Sequence, residues 1–175
     1  MVTCPACGYI RNIEGSDLCE RCQSPLVHLS KPKAASAIDR AFHKDRIRRL
    51  SPRTPLVAAP GDRVSAVLQQ LVERSVGCVV IVEGERVVGV FSERDALLRL
   101  GVDAAAHGDR PVSEFMTAAP ETLELDDKIA FAVHKMDLHG FRHIPITEDG
   151  RIAGVISARD ILRYVTEELG VATKT

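Results

Sequence analysis

Residues 79–100 of the chain, VVIVEGERVVGVFSERDALLRL, decide its fold. They read as an apolar strand, a turn at Glu83 and Gly84, a second strand and a helix that begins at Ser92. The pattern returns 65 residues later as IPITEDGRIAGVISARDILRYV, with its glycine, serine, arginine and aspartate at the same positions and no gap. Two copies are too few for a solenoid, so we expect a pseudo-twofold pair of β-α-β-β-α repeats.

The first helix of each copy carries an apolar stripe at helical spacing. The stripe is formed by Val64, Val67, Leu68, Leu71 and Val72 in copy one and by Ile129, Ala132, Val133 and Met136 in copy two. Acidic residues precede both helices, where Asp62 and either Asp126 or Asp127 are expected to cap free amides. We interpret residues 101–110 as the connection between the copies.

The four long strands are almost continuously apolar, at 79–82, 87–91, 144–147 and 152–156. Strands of that composition are covered on both faces. The predicted fold class is therefore α+β. Cys78, just before the first of these strands, is expected to be a small buried hydrophobe, with a redox-sensing thiol as the alternative.

Length and composition limit the possible functions. With 175 residues, the chain has room for one domain and a small appendage. Its 23 basic and 24 acidic residues give a net charge of −1, which by itself argues for neither a nucleic acid nor a membrane partner. No run approaches the roughly 20 apolar residues of a membrane span, and the first ten residues lack a signal peptide's apolar core. We therefore expect a cytoplasmic protein whose cysteines are reduced or metal-bound.

Four of the five cysteines lie in residues 1–30, as two C-x-x-C pairs: Cys4 with Cys7 and Cys19 with Cys22. Each pair can wrap one face of a tetrahedral ion, and a glycine after the first pair lets the backbone turn tightly. The segment resembles the short zinc ribbons of the CPxCG type, which implies a structural Zn²⁺ held by all four thiolates, with no open position for catalysis. It departs from that family in having Gln23 where glycine is usual and only 11 residues between the pairs. A redox-active dithiol, an iron site and a metal-free segment are the alternatives.

Residues 31–53, KPKAASAIDRAFHKDRIRRLSPR, are rich in Lys and Arg. A helix beginning at Ser30 or Ser36 would carry one apolar stripe, formed by Ile38, Phe42 and Leu50. Beside a zinc ribbon, such a basic helix is suited to contact nucleic acid or an acidic partner. We favour the other interpretation, a solvated connecting helix whose stripe docks on the main domain.

The duplicated unit resembles a pair of CBS domains, or Bateman module, over roughly residues 50–168. The residues that carry the resemblance are GVFSERD at 89–95 and GVISARD at 154–160, each between a strand and a helix. The resemblance implies a compact disc with two clefts at pseudo-twofold positions, which bind adenine nucleotides or related adenosyl compounds. It also implies a homodimer, since CBS pairs usually stack through their helices.

By motif position, the resemblance implies the residues of both clefts. Cleft A would contain Thr54, Leu56, Val76, Gly77, Cys78, Arg142, His143, Val155, Ser157, Arg159 and Asp160. Cleft B would contain Val90, Ser92, Arg94 and Asp95, with residues near Ala119, Glu121 and Phe141. The counterparts of Arg142 and His143 in cleft B are uncharged, so we expect a phosphorylated nucleotide to prefer cleft A.

The serine and aspartate of each motif have two possible roles. A carboxylate such as Asp160 or Asp95 can accept hydrogen bonds from both hydroxyls of a ribose. Ser157 ends a strand at a helix amino terminus, where the dipole favours a nearby phosphate. The same spacing is also an N-terminal capping box, which needs no ligand. The motif alone leaves both roles open.

These patterns favour a regulatory protein rather than an enzyme. No nucleophile with an adjacent base, phosphate-binding GxxxxGK[ST] loop or open metal site is recognisable in the sequence. We predict that AMP, ADP, ATP or an S-adenosylmethionine-type ligand binds the clefts and that the ribbon and basic helix transmit the bound state to a protein partner. One alternative is a nucleic-acid-associated module that uses residues 1–53 for phosphate contacts and the repeats for dimerisation. Another is a purely structural pair with empty clefts.

The predicted division of the chain follows from these interpretations. It comprises a zinc ribbon at 1–30, a basic linker helix at 31–50, the first repeat at 51–105, the second repeat at 106–170 and a tail at 171–175.

Overall fold

Two β-sheets, one in each repeat, form the body of the protein. The computed structural model describes residues 1–4, 7–13, 16–24, 26, 37–168 and 170. The expected helix starts at Ser30 and Ser36 and the expected tail at 171–175 lie outside these residues. The α-helices are α1 (Ala37–Lys44), α2 (Val64–Glu73), α3 (Glu93–Asp95), α4 (Ile129–His139) and α5 (Ala158–Glu168). The strands are β1 (Val57–Ala58), β2 (Cys78–Glu83), β3 (Arg86–Ser92), β4 (Thr117–Ala118), β5 (Leu123–Glu124), β6 (His143–Glu148) and β7 (Arg151–Ser157).

The sheets confirm the α+β class and the order of elements predicted for both repeats. The first sheet has the order β1-β2-β3-β4 and the second has the order β5-β6-β7. In each sheet the short first strand pairs in parallel with a central strand, which pairs antiparallel with the next one. Val79, Val80 and Ile81 in β2 and Ile144 and Ile146 in β6 are completely buried, as their apolar runs predict.

The outer edge of each sheet comes from the segment that precedes the other repeat. Strand β4 leads into the second repeat, yet it pairs with β3 of the first. Arg53 leads into the first repeat, yet its backbone exchanges two hydrogen bonds with Val155 in β7. Gly154 permits this approach, because an added Cβ would lie 2.6 Å from Cβ of Pro52. These crossed edges bring residues of both repeats beside the GVFSERD motif at 89–95 and the GVISARD motif at 154–160.

The second hydrophobic core includes residues that precede the first repeat. Ile47 and Leu50, in a 3₁₀ turn, are 0% and 2% exposed and belong to the cluster built on α4, β6 and β7. Phe42 of α1 packs against the same cluster and stacks on Tyr164 of α5 at 5.9 Å between ring centroids. The predicted linker at 31–50 thus contains residues that pack as part of the second repeat.

The basic residues beside this core form ion pairs with the body of the protein. Arg48 pairs with Asp126 and Arg49 pairs with Glu168, while a further pair of Arg49 with Asp45 lies within the segment itself. Together with the buried apolar face, these pairs support the interpretation in which the segment docks on the main domain.

The predicted helix caps are wrong. Asp62 and Asp127 each accept the backbone N–H of the residue three positions earlier, at 2.8 Å in both repeats. The caps of α2 and α4 are the next residues, Arg63 and Lys128, and neither caps its helix with a side-chain hydrogen bond. Each aspartate lies one position before the cap, where its carboxylate closes the turn that leads into the helix.

The last helix of the first repeat also differs from the prediction. Helix α3 continues as a π-helical turn at Ala96–Leu100 and as 3₁₀ turns at Gly101–His107, where a connecting loop is expected.

In α2, Val64, Val67 and Leu71 are buried as predicted, whereas Val72 is 79% exposed. None of the helices in the described ranges has the length and apolar composition of a membrane span.

Candidate functional site

Cleft A is a cavity of about 740 Å³ at the junction of the two repeats. The end of β7 and the start of α5 form one wall, and the segment before β1 and the start of β2 form the opposite wall. Every residue predicted for this cleft lines it: Thr54, Leu56, Val76, Gly77, Cys78, Arg142, His143, Val155, Ser157, Arg159 and Asp160. The crossed edge explains why residues so far apart in sequence face one cavity.

Cleft B, of about 690 Å³, occupies the pseudo-symmetric position at the end of β3. The four predicted motif residues Val90, Ser92, Arg94 and Asp95 line it, as do Glu121 and Phe141. Ala119, predicted to lie near this cleft, is not among its lining residues. The two clefts therefore repeat one design, as the duplicated sequence predicts.

The clefts share a wall near the pseudo-twofold axis, formed by Gly77, Glu93, Leu97, Arg142 and His143. Gly77 allows close contact there, because an added Cβ would lie 2.7 Å from Cε1 of His143. Arg142 and His143 face both cavities, so the contrast in charge between the clefts is weaker than the aligned sequences predict. Glu93 adds a carboxylate to both.

His143 is held as a neutral imidazole near pH 7. Burial lowers its pKa from the usual 6.5, and the neighbouring Arg142 and Arg159 act in the same direction. The carboxylates of Glu93 and Asp160 oppose this shift. A neutral His143 can offer an anion a hydrogen bond but contributes no charge, so the arginines supply the positive charge of the wall.

The carboxylate of Asp160 is 2% exposed and accepts hydrogen bonds at both oxygens. Its Oδ2 accepts the backbone N–H and the hydroxyl of Ser157, each at 2.7 Å. Its Oδ1 accepts a hydrogen bond from Nη2 of Arg53 at 3.2 Å and forms an ion pair with Arg163, whose Nη2 lies 3.1 Å away. Burial of a carboxylate is tolerated when it is paired in this way.

Asp95, the counterpart of Asp160 in cleft B, has different partners on its Oδ1. Its Oδ2 accepts the backbone N–H and the hydroxyl of Ser92, as Oδ2 of Asp160 does from Ser157. The N–H of Asp95 donates back to the hydroxyl of Ser92, which completes a capping box. Oδ1 accepts the hydroxyl of Thr117 at 3.0 Å and lies 3.4 Å from Nε of Arg99. The capping box is thus complete in the first motif, and the second motif has its carboxylate half, the bond from the N–H of Ser157 to Asp160.

Sequence reasoning missed four residues that shape the clefts: Arg53, Glu93, Arg99 and Thr117. Two of these residues could have been identified from the local sequence. Glu93 lies within the first motif, at the position where the two motifs differ between serine and arginine. Arg99 lies four residues after Asp95, a spacing at which a helix brings the two side chains together. Arg53 and Thr117 lie on the crossed edges, and only the pairing of those edges places them at the motifs.

Cys78 lies on the floor of cleft A and is 6% exposed. Burial raises the pKa of its thiol to about 12, and the nearby carboxylates of Glu93 and Asp95 act in the same direction. A thiol that stays protonated is a poor nucleophile. The geometry therefore favours the small buried hydrophobe over the redox-sensing thiol.

The four cysteines near the amino terminus form a separate candidate metal centre. Their sulfur atoms all lie within 4.8 Å of one another, with 3.6 Å between Cys4 and Cys22 and 3.7 Å between Cys7 and Cys19. A tetrahedral ion with Zn–S bonds of about 2.3 Å needs sulfur atoms about 3.8 Å apart, so the donor set fits Zn²⁺. Glu20, between the last two cysteines, lies 3.7 Å from Nε2 of His134 in α4, which joins this segment to the second repeat.

The family model of the CBS domain matches residues 36–101 and 112–167 of the chain. An uncharacterised 17.7 kDa protein of Acidianus ambivalens is 30% identical over 115 residues, which are 63% of this chain and 67% of that protein. Among the other curated relatives, the matched part ranges from 68% of the relative's length down to 16%.

Solved structures of CBS-domain proteins share the fold. The CBS-domain containing protein ATU1752 from Agrobacterium tumefaciens has a TM-score of 0.64 and 26% identity, over 69% of this chain and 99% of its own. The CBS domain protein PAE2072 from Pyrobaculum aerophilum, solved in complex with AMP, has a TM-score of 0.63 and 30% identity. That match covers 73% of this chain and 100% of PAE2072.

Proposed function

The chain belongs to the CBS-domain family, and on this premise we propose that it is a regulatory protein that binds an adenosine-containing ligand between its repeats. One observation carries the proposal: cleft A combines a buried carboxylate at a helix start with arginines and apolar walls. Its volume of about 740 Å³ lies within the range of small-molecule sites, roughly 300–1,000 Å³. The complex of the related PAE2072 with AMP supports the same class of ligand.

Each part of such a ligand has a matching feature in cleft A. The ribose hydroxyls would donate to Asp160, a charge-assisted pairing that a deoxyribose only partly provides. A phosphate would lie at the amino terminus of α5, where free amides and the helix dipole favour an anion, with Arg142 and Arg159 nearby. The base would pack against apolar side chains such as Leu56 and Val76.

We infer binding rather than catalysis at this site. The thiol of Cys78 is kept protonated by burial, which makes it a poor nucleophile. The bound ligand would act by favouring one arrangement of the repeats, which requires different affinity for the two arrangements.

Binding is tested by thermal unfolding and calorimetry of the full chain with AMP, ADP, ATP, S-adenosylmethionine and 2′-deoxy-AMP. A ligand at 100 times its dissociation constant should raise the free energy of unfolding by about 2.7 kcal/mol. We expect weaker binding of 2′-deoxy-AMP and loss of cleft A binding in Asp160→Asn. The asparagine keeps an oxygen for the Ser157 amide, so this variant should remain folded. The proposal is abandoned if the wild-type protein binds none of these compounds at millimolar concentration.

We also propose that Cys4, Cys7, Cys19 and Cys22 hold a structural Zn²⁺. The separations of their sulfur atoms support a closed tetrahedral site, and a segment this small needs the free energy of metal binding to fold. The site would anchor the ribbon on the second repeat, where Glu20 approaches His134.

Thiol counting tests the metal centre. With zinc bound at pH 8, we expect no rapid reaction of any of the five cysteines with an alkylating reagent. A chelator should expose four thiols, and denaturant should add Cys78, whose pKa is raised by burial. In Cys78→Ala the total should be four. Four rapidly reactive thiols before chelation, with less than one zinc per chain, would rule out a structural zinc site.

Homodimerisation and a protein partner complete the proposal. Leu97, Leu98 and Val102, after the first motif, are 76%, 72% and 101% exposed and offer an apolar surface to a second copy or a partner. Sedimentation at increasing concentration tests the dimer, which a persistent monomer would exclude. Contacts between residues 1–53 and nucleic acid stay a prediction, and electrophoretic mobility shifts with duplex DNA and RNA at low salt would test it.

A further inference from the structure

Arg53 occupies the ligand-facing side of Asp160. Oδ2 of this carboxylate accepts the amide and hydroxyl of Ser157, and Oδ1 accepts an N–H of Arg53 and forms an ion pair with Arg163. With Asp160 2% exposed, a ribose that donates both hydroxyls must displace at least one of these donors. Cleft A therefore already contains a competitor for the ribose.

Cleft B lacks this competitor. On the crossed edges Thr117 pairs with Val90 as Arg53 pairs with Val155, so Thr117 holds the position of Arg53 in cleft B, and Leu98 holds the position of Arg163 in the duplicated sequence. Asp95 accepts a hydrogen bond from the hydroxyl of Thr117, which can turn away at little cost, and forms an ion pair with Arg99. The arginines on Asp160 are thus a property of cleft A and not of the motif.

Of the two arginines on Asp160, Arg53 is the one free to move. Arg163 also donates to the backbone carbonyl of Leu50 at 3.1 Å and lies three residues after Asp160 on α5. The side chain of Arg53 is 61% exposed and lines the cleft. Its guanidinium is open to solvent, and Asp160 keeps its contacts with Ser157 and Arg163 when Arg53 leaves, so a ligand can displace Arg53.

We propose that Arg53 is a specificity-determining residue that makes cleft A select anionic adenosyl ligands over uncharged ones. In the free protein its guanidinium pairs with Asp160. An uncharged nucleoside breaks that pair and offers the guanidinium no anion in place of the carboxylate. A nucleotide breaks it as well but supplies a phosphate, which accepts the planar guanidinium through two parallel hydrogen bonds. The inference rests on the proposed function and adds the charge class of the ligand.

The test compares adenosine with AMP in the full chain. Calorimetry is done in an Asp95→Asn background, which leaves cleft A as the intact ribose site, with and without Arg53→Ala. Removing Arg53 as a competitor should strengthen the binding of adenosine by about threefold, the range of an exposed ion pair. AMP gains the same threefold but also loses the phosphate partner, worth about tenfold, the range of one charge-assisted hydrogen bond, so AMP binding should weaken by a net factor of about three. The preference for AMP over adenosine should therefore fall by about tenfold.

Two further variants isolate the role of Arg53. Arg86→Ala removes an exposed arginine at the distant β2-β3 turn and should leave the preference unchanged, which controls for net charge. Thr117→Arg, in an Asp160→Asn background, places a guanidinium at the edge position from which Thr117 reaches Asp95 and should weaken adenosine binding in cleft B. This second variant does not depend on how well Arg53→Ala folds.

The outcomes separate this inference from the proposed function. If AMP binds and Asp160→Asn abolishes that binding, but Arg53→Ala changes adenosine and AMP by the same factor, the role of Arg53 is overturned and the proposed function stands. Adenosine binding unchanged by Thr117→Arg also counts against it. If neither adenosine, AMP nor any of the other adenosyl compounds binds a variant that keeps Asp160, both proposals fail.

Discussion

Gly8 and Gln23 hold the same position in the two cysteine turns. Each donates its N–H to the carbonyl of the first cysteine of its pair, at 2.9 Å and 2.8 Å, and their φ angles are 71° and 58°. Glycine adopts this left-handed region without a steric cost, whereas other residues pay about 1 kcal/mol or more. Gln23 therefore departs from the short-ribbon sequence while keeping the backbone that the glycine would have.

This equivalence predicts opposite effects of two substitutions. Gln23→Gly should stabilise the zinc-loaded ribbon by up to about 1 kcal/mol, since relief of strain exceeds the added freedom of the unfolded chain. Gly8→Ala should destabilise it by a similar amount through strain alone, because an added Cβ meets no described atom within 4 Å. Chelator titrations of zinc release measure both. A shift in the same direction for both variants would show that the left-handed backbone is not what distinguishes them.

At the scale of elements, the crossed edges make the clefts. The glycine of each motif lets the edge segment lie close, but the neighbour differs between the repeats. At Gly89 an added Cβ would meet the flexible side chain of Met116, and at Gly154 it would meet the rigid ring of Pro52 at 2.6 Å and the carbonyl of Arg53 at 3.3 Å. The second edge therefore has less room to adjust.

We expect Gly154→Ala to cost about 1–3 kcal/mol of unfolding free energy, the range for overpacked sites. Gly89→Ala should cost less, because a thioether side chain can change rotamer. Gly61→Ala is a matched control, since an added Cβ there meets no described atom within 4 Å and the backbone is not left-handed. Urea denaturation measures all three. Equal costs for Gly89→Ala and Gly154→Ala would contradict the difference between the edges.

For the molecule as a whole, the wall shared by the two clefts makes stability depend on pH. Burial places the pKa of His143 below 6.5 in the folded protein, so the unfolded chain binds more protons as the pH falls past that value. The stability associated with neutral His143 is thus present above about pH 6.5 and is lost as the pH falls toward the folded pKa.

Replacement of His143 should remove this part of the pH dependence. We expect the free energy of unfolding to fall less between pH 7 and pH 5 in His143→Gln than in the wild-type protein, because glutamine does not titrate. Denaturant unfolding across that range measures the difference, in which the carboxylates common to both proteins cancel. Parallel pH profiles would show that His143 titrates alike in both states.

Much of the fold and most of the candidate site follow from the sequence, because they depend on short-range patterns and on a repeat. Apolar runs locate β2, β3, β6 and β7, and the duplicated motif locates the residues of both clefts. The spacing of four cysteines locates the candidate metal centre. These features need only the periods of strands and helices and the geometry of a tetrahedral ion.

Only the tertiary structure decided which distant segments meet. The pairing of Arg53 with β7 places a guanidinium on Asp160, 107 residues away in sequence. The docking of Ile47 and Leu50 in the second core and the sharing of Arg142 and His143 by both clefts are likewise long-range. Such contacts depend on which sheet edges are free and which apolar faces remain uncovered after each repeat has formed. A local sequence pattern contains no information about either. The sequence therefore determined which motif residues form each cleft, and the packing determined which distant side chains contact those residues.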